Sequence, residues 1–150
     1  MEPPLGRRLY LGQRAVADVL DARLAARGAS LWNWVLLREA SLADGASQRE
    51  LAARMRIEPP TLVRHLDKLT DDGFVERRPD AGDRRVVRVV VTPAGRARLA
   101  DLHEEAQWVD RELRTVLSEH EVEVLGTALM KIHDHFTALD DEEVRHVGRG

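Results

Sequence analysis

The sequence predicts a mainly helical domain carrying one small β-hairpin, in the order α-α-α-α-β-β-α-α. Three observations point there. Apolar residues recur at helical spacing over most of the chain. Two serine–glutamate pairs of S-x-x-E type mark helix starts. Two β-prone runs flank a Pro-Asp-Ala-Gly turn.

The first helix is expected over Leu5 to Arg27, with Leu5, Leu9, Val16, Val19, Leu20 and Leu24 as its stripe and Gly28 as its stop. Ser30 caps a second helix through about Leu42, broken at Asp44-Gly45. Ser47 and Glu50 open a helix of about two turns. After Met55 to Glu58, Pro59 begins a longer one. A missing N–H costs nothing in the first turn, and Leu62, Leu66 and Leu69 form the buried stripe before Gly73. A short helix, a tight turn and a longer helix make a helix-turn-helix layout. Strands follow at 74–78 and 86–91, joined by a polar tip. Thr92-Pro93 caps a long helix with Leu99, Leu102, Ala106, Val109, Leu113 and Val116. Ser118 and Glu121 start the last helix, whose stripe is Val122, Leu125, Leu129, Ile132, Phe136 and Leu139, and a polar tail fills 140–150.

A chain of 150 residues suits a single domain. Its formal charge of −3 does not advertise nucleic-acid binding. The charge is unevenly placed, however: residues 46–92 carry +2 and residues 93–150 carry −6. Five arginines fall within ERRPDAGDRRVVRVVV, Glu76 to Val91. There is no cysteine, which excludes a disulfide scaffold, a thiol nucleophile and any Cys-ligated metal site. With no signal-peptide pattern and no long apolar run, a soluble cytoplasmic protein is expected, without membrane contact.

The run from Leu51 to Leu102, LAARMRIEPPTLVRHLDKLTDDGFVERRPDAGDRRVVRVVVTPAGRARLADL, resembles the MarR family of bacterial transcription regulators. The resemblance rests on Gly73, Phe74, Val75 and Arg77, then Asp83, Arg84 and Arg85, then Val91 to Gly95, in order. IEPPTLVRHLDKL, the opening MEPPLG and Trp34 look most like the SlyA branch. The family implies a winged helix-turn-helix over residues 30–92, with a recognition helix at 59–72 and a wing at 74–91. Helices at 5–28 and 93–139 would make a homodimer on a pseudo-palindromic site, acting as a repressor. The family commonly has Gly in the helix-turn-helix turn where this chain has Arg56. If that backbone needs φ > 0, a side chain there costs roughly 1 kcal/mol.

With the leucines inward, the other face of the recognition helix carries Pro60, Thr61, Arg64, His65 and Lys68. Major-groove readout needs short side chains near the helix start and a forked donor for guanine. Thr61 and Arg64 fit those needs, and His65 or Lys68 suits a phosphate. A hairpin tip enters a minor groove, where arginine is favoured. The resemblance makes Arg85 the inserted arginine and Asp83 its partner, with Arg84 and Arg78 on phosphates. It also implies a small aromatic or phenolic acid as effector, bound by Arg14, Trp34 and Arg38.

No hydrolase, phosphate-loop, dinucleotide or zinc-protease motif is present, so an enzyme is not expected. His133 and His135 lie two apart and face different ways, while His103, His120 and His146 lack paired ligand spacing. Neither metal nor cofactor is expected. The alternative function is a winged-helix dimer that binds protein instead of DNA, kept open by the negative net charge and by Arg56.

Overall fold

The computed structural model of the chain describes residues 2–139, so the tail at 140–150, with His146, lies outside the described residues. Among the described residues, six helices and one two-stranded sheet follow the expected order. The described residues divide into two compact units, the first ending at Val109 and the second beginning at Asp110.

In the first unit, α1 (Leu5–Ala26) buries Leu20 and Leu24. The carboxylate of Asp21 accepts from the Leu31 N–H at 2.8 Å, and the Ser30 hydroxyl accepts from Asn33 N at 3.2 Å. These bonds satisfy two of the orphan donors at the start of α2 (Leu31–Leu42). The predicted capping box of α3 (Gln48–Met55) forms in both directions, at 2.7 and 3.1 Å. This helix ends on Arg56 at φ 51° and ψ 44°, the one non-glycine residue with positive φ among the described residues. The expected left-handed turn is therefore present, occupied by a residue with a Cβ.

Helix α4 (Pro59–Asp71) starts on its prolines and buries Leu62, Leu66 and Leu69. They join Leu36, Leu37, Ala40, Leu51, Ala52, Val75, Val89 and Val91 in one core cluster. Leucine and valine carry that cluster, as the scarcity of aromatics requires.

Strands β1 (Val75–Pro79) and β2 (Val87–Val91) pair antiparallel, with Val75 opposite Val91 and Pro79 opposite Val87. Each begins one residue later than expected, for a local reason. The Phe74 N–H closes the end of α4 on the Leu69 carbonyl. Val86 belongs to the tip, where its N–H meets Asp83 O and its carbonyl accepts from Asp80 N, both at 2.9 Å. The hairpin is also anchored sideways, because Val89 N donates to Ala46 O at 2.9 Å.

Between β2 and α5 (Pro93–Val116), Thr92 explains the Val-Thr-Pro-x-Gly motif. Its hydroxyl donates to the Gly73 carbonyl at 2.7 Å and accepts from the Gly95 N–H at 3.0 Å. That draws Gly95 against β1 so closely that a Cβ would overlap the Phe74 carbonyl oxygen. Further along, Leu102 and Val109 of the expected stripe are buried, and so is the charged Glu105. Its carboxylate meets Arg23 at 2.7 Å and Arg27 at 3.0 Å, joining α1 to α5, and Arg23 lies 3.8 Å over the Trp108 ring. A nearly buried charge persists because it is doubly paired.

In the second unit the Ser118–Glu121 capping box forms as predicted and starts α6 (Glu119–Ala138). No residue of α6 is buried. Val122, Ile132 and Leu139 are half-buried, while Leu125, Leu129 and Phe136 of the expected stripe are exposed.

Candidate nucleic-acid interface

The exposed face of α4 begins with Pro60 and Thr61 in the first turn, and Arg64 and Lys68 lie further along it. Arg64 is exposed and has no carboxylate partner among the described residues. Lys68 leans on Asp72 at 3.2 Å, an exposed i,i+4 pair worth little and readily exchanged. His65 is placed differently from the others. Its ring stacks on Trp32 of α2 at 5.7 Å and 20°, and its Nδ1 lies 3.3 Å from Asn33 Oδ1. Burial there, then the nearby Arg64 charge, holds its pKa below the ordinary imidazole value. A neutral, half-buried imidazole is a poor phosphate partner, so of the two candidates Lys68 is the better placed.

The wing arginines separate into two sets. On the strands, Arg77 reaches Asp67 of α4 at 2.7 Å and donates to the Val63 carbonyl at 3.2 Å. Arg78 is paired with Glu76 at 2.6 Å, an exposed pair as readily exchanged for a phosphate as that of Lys68. Arg88 donates to Asp80 at 2.7 Å and to the Gly45 carbonyl at 3.2 Å, with Glu50 at 3.5 Å. At the tip, Arg84 and Arg85 are exposed and without a carboxylate partner among the described residues.

The pairing expected between Asp83 and Arg85 takes another form. The Asp83 carboxylate accepts from the Arg85 backbone N–H at 2.9 Å and leaves the guanidinium free. An aspartate two residues before an amide closes this ring with little chain rearrangement, fixing the turn that carries Arg85. Asp80, which the sequence did not single out, organises the tip. Besides Arg88 it accepts from Gly82 N at 2.9 Å and Asp83 N at 3.1 Å. The Arg88 hydrogen bond, followed by these two amides, holds its carboxyl below the usual carboxylate range. Asp80, Arg77 and Arg88 tie the wing together, and sequence reasoning assigned them no such part. Asp80 carried a faint signal, since Pro-Asp-x-Gly is a turn pattern in which the aspartate accepts forward amides.

Arg14, Trp34 and Arg38, the expected effector residues, are not joined by any hydrogen bond or ion pair among the described residues. Arg14 is occupied by Tyr10 at 3.1 Å and Asp18 at 3.6 Å, and Arg38 by Glu39 at 3.2 Å. The buried Trp34 indole N–H has no acceptor. A hollow lined by Asn33, Leu37, Leu69, Asp72, Arg98 and Leu102 lies between α2, α4 and α5. Its volume of about 20 Å³ holds one water and no aromatic ring. No cluster of metal-ligating side chains occurs among the described residues, and no helix is long and apolar enough to cross a membrane.

Comparison with known proteins gives the following. Residues 30–87, from the cap of α2 to the start of β2, match the sequence model of the MarR family. The chain is 28% identical to a structure described as the Multiple Antibiotic Resistance Repressor, MarR, with a TM-score of 0.77 over 88% of this chain and 96% of that one. It is 28% identical to a mutant MarR from E. coli complexed with operator DNA, with a TM-score of 0.79 over 86% of this chain and 93% of the other. A probable transcriptional regulator from Pseudomonas aeruginosa aligns at 25% identity and a TM-score of 0.76, over 85% and 96% of the two chains.

Proposed function

We propose that this chain, a MarR-family winged helix-turn-helix protein and a DNA-binding transcription regulator, is a homodimeric repressor of the SlyA-like branch. It is a regulator and not an enzyme. One observation carries the specific reading: the cations of the winged region that no carboxylate holds include Arg64 on the open face of α4 and Arg84 and Arg85 at the wing tip. Arg64 reads a guanine edge in the major groove with Thr61 beside it. Arg85 enters the minor groove, directed by the turn that Asp83 fixes. Lys68 and Arg84 hold phosphates, positioning the protein without reading sequence.

Dimerisation is supported by apolar surface left in water within each unit. Leu5, Tyr10, Leu11 and Val19 are exposed on α1, and Leu125, Leu129, Met130 and Phe136 on α6. A two-fold axis would set the recognition helices about one DNA turn apart, ~34 Å. The SlyA-like assignment rests on IEPPTLVRHLDKL, MEPPLG and Trp34. An aromatic acid as the releasing effector rests on the resemblance at Arg14, Trp34 and Arg38: the Trp34 indole N–H lacks an acceptor, and a carboxylate would take Arg14 and Arg38 from Tyr10, Asp18 and Glu39. A melting temperature that no aromatic acid moves would remove that support.

The test is a gel shift at fixed salt with the DNA upstream of the chain's own gene, using wild type, Arg64→Ala and Arg85→Ala. Arg85→Ala should weaken binding to every duplex, while Arg64→Ala should also relax base preference. No binding by the wild type would favour a protein-binding module instead.

A further inference from the structure

We infer that Trp32 is a DNA-contacting residue: its indole extends the reading face of α4 onto α2 and donates its Nε1–H to a backbone phosphate. This rests on the DNA-binding reading above. Trp32 is 47% exposed, so it contributes little to the core that the rest of α2 helps build. Its ring is held in place by the His65 stack at 5.7 Å, and His65 is itself set by Asn33. Thr61, His65 and Lys68 are spaced four and three apart on α4, which makes them one stripe. The indole is therefore continuous with the face that carries the base-reading and phosphate-binding side chains.

Its chemistry fits the edge of a duplex. Indole is a donor only, and the Trp32 N–H has no acceptor among the described residues. A flat amphipathic ring covers a deoxyribose while its polar edge reaches a phosphate oxygen, and most protein–DNA hydrogen bonds go to phosphate and sugar. Being uncharged, this donor adds affinity without displacing a counterion, which distinguishes it from every arginine in the interface.

The experiment uses a duplex enriched from a random library by the full-length wild-type chain, and a scrambled duplex of equal length. Trp32→Phe keeps a ring on His65 but loses the N–H, and Trp32→Ala loses both. Thermal melts establish that each variant folds. Trp32→Phe should bind both duplexes about tenfold more weakly, with the slope of log affinity against log salt unchanged. The indole N–H signal that Trp32→Phe deletes from the proton–nitrogen spectrum should move when duplex is added to wild type. Wild-type affinity in a folded Trp32→Phe, an indole signal that DNA leaves unmoved, or a change in oligomeric state alone would each overturn the contact while sparing the DNA-binding reading. Failure to enrich any duplex would overturn both.

Discussion

The Arg77 guanidinium on β1 sits 2.7 Å from the Asp67 carboxylate on α4 and also donates to the Val63 carbonyl of the same helix. Wing and recognition helix are thereby linked at the surface, as well as through the core by Val75 and Leu66. On the proposed reading, with the wing in one groove and the helix in the next, such a fixed angle is needed.

Arg77→Ala should therefore weaken DNA binding about tenfold or more through wing orientation. It should cost roughly 1–2 kcal/mol of stability by removing the Val63 bond and the ion pair. Asp67→Asn should cost less than about 1 kcal/mol, because Asp67 is exposed and such pairs are weak. Urea denaturation and fluorescence anisotropy on the same samples check both statements.

Asp80→Ala should reduce specific affinity several-fold more than Asp83→Ala. Asp80 holds Arg88 and two tip amides, whereas Asp83 holds one amide. The Asp80 carboxyl titrates below its unfolded value, so its contribution to wing order is fully present above that value. It is lost as pH falls through the lowered folded value. The amide shift of Gly82 should hold steady through the ordinary aspartate range near ~3.9 and move only in stronger acid.

His65 gives a second pH dependence of different origin. Trp32, Asn33 and Arg64 surround it, and burial followed by the Arg64 charge favours the neutral ring. The unfolded chain then takes up the proton first, so the stability due to this group is present above the unfolded value of ~6.5 and declines as pH falls from there through the lowered folded value. Denaturation midpoints from pH 7.5 to 5 should show a decline that His65→Gln reduces.

The two turns that constrain the backbone predict opposite outcomes. Arg56→Gly should stabilise the fold by about 1 kcal/mol, since glycine accepts the left-handed conformation freely. Gly95→Ala should destabilise it by about 1–3 kcal/mol or more, because the added Cβ meets backbone that cannot turn aside. Melting temperatures of the two variants should lie on either side of wild type.

What was legible in the sequence is what four or five neighbouring residues decide. The Ser47–Glu50 and Ser118–Glu121 capping boxes, the Leu62–Leu66–Leu69 stripe and the Arg56 turn are all local, and each was read correctly. The ion pairs were not legible. Arg77–Asp67, Arg88–Asp80 and the Arg23–Glu105–Arg27 group depend on which elements the core brings together, and charge alternation along the chain carries no record of that. Asp83 illustrates the difference: its role in aiming Arg85 was attributed to the guanidinium, while the structure shows the bond on the amide. The same limit applies to His65, whose inward turn depends on a tryptophan thirty-three positions earlier.

Pairing the arginines of the wing's strands bears on how long the proposed regulator would stay on the wrong stretch of a chromosome. A cation that meets a phosphate expels roughly one condensed ion, and that expulsion supplies nearly all sequence-blind holding. Arg77 and Arg88 already face Asp67 and Asp80 and expel few. The chain as a whole, at −3, adds no general attraction for phosphate. Random encounters should therefore be brief, with little sliding, and residence should be set by the few sites where helix and wing both find their groove.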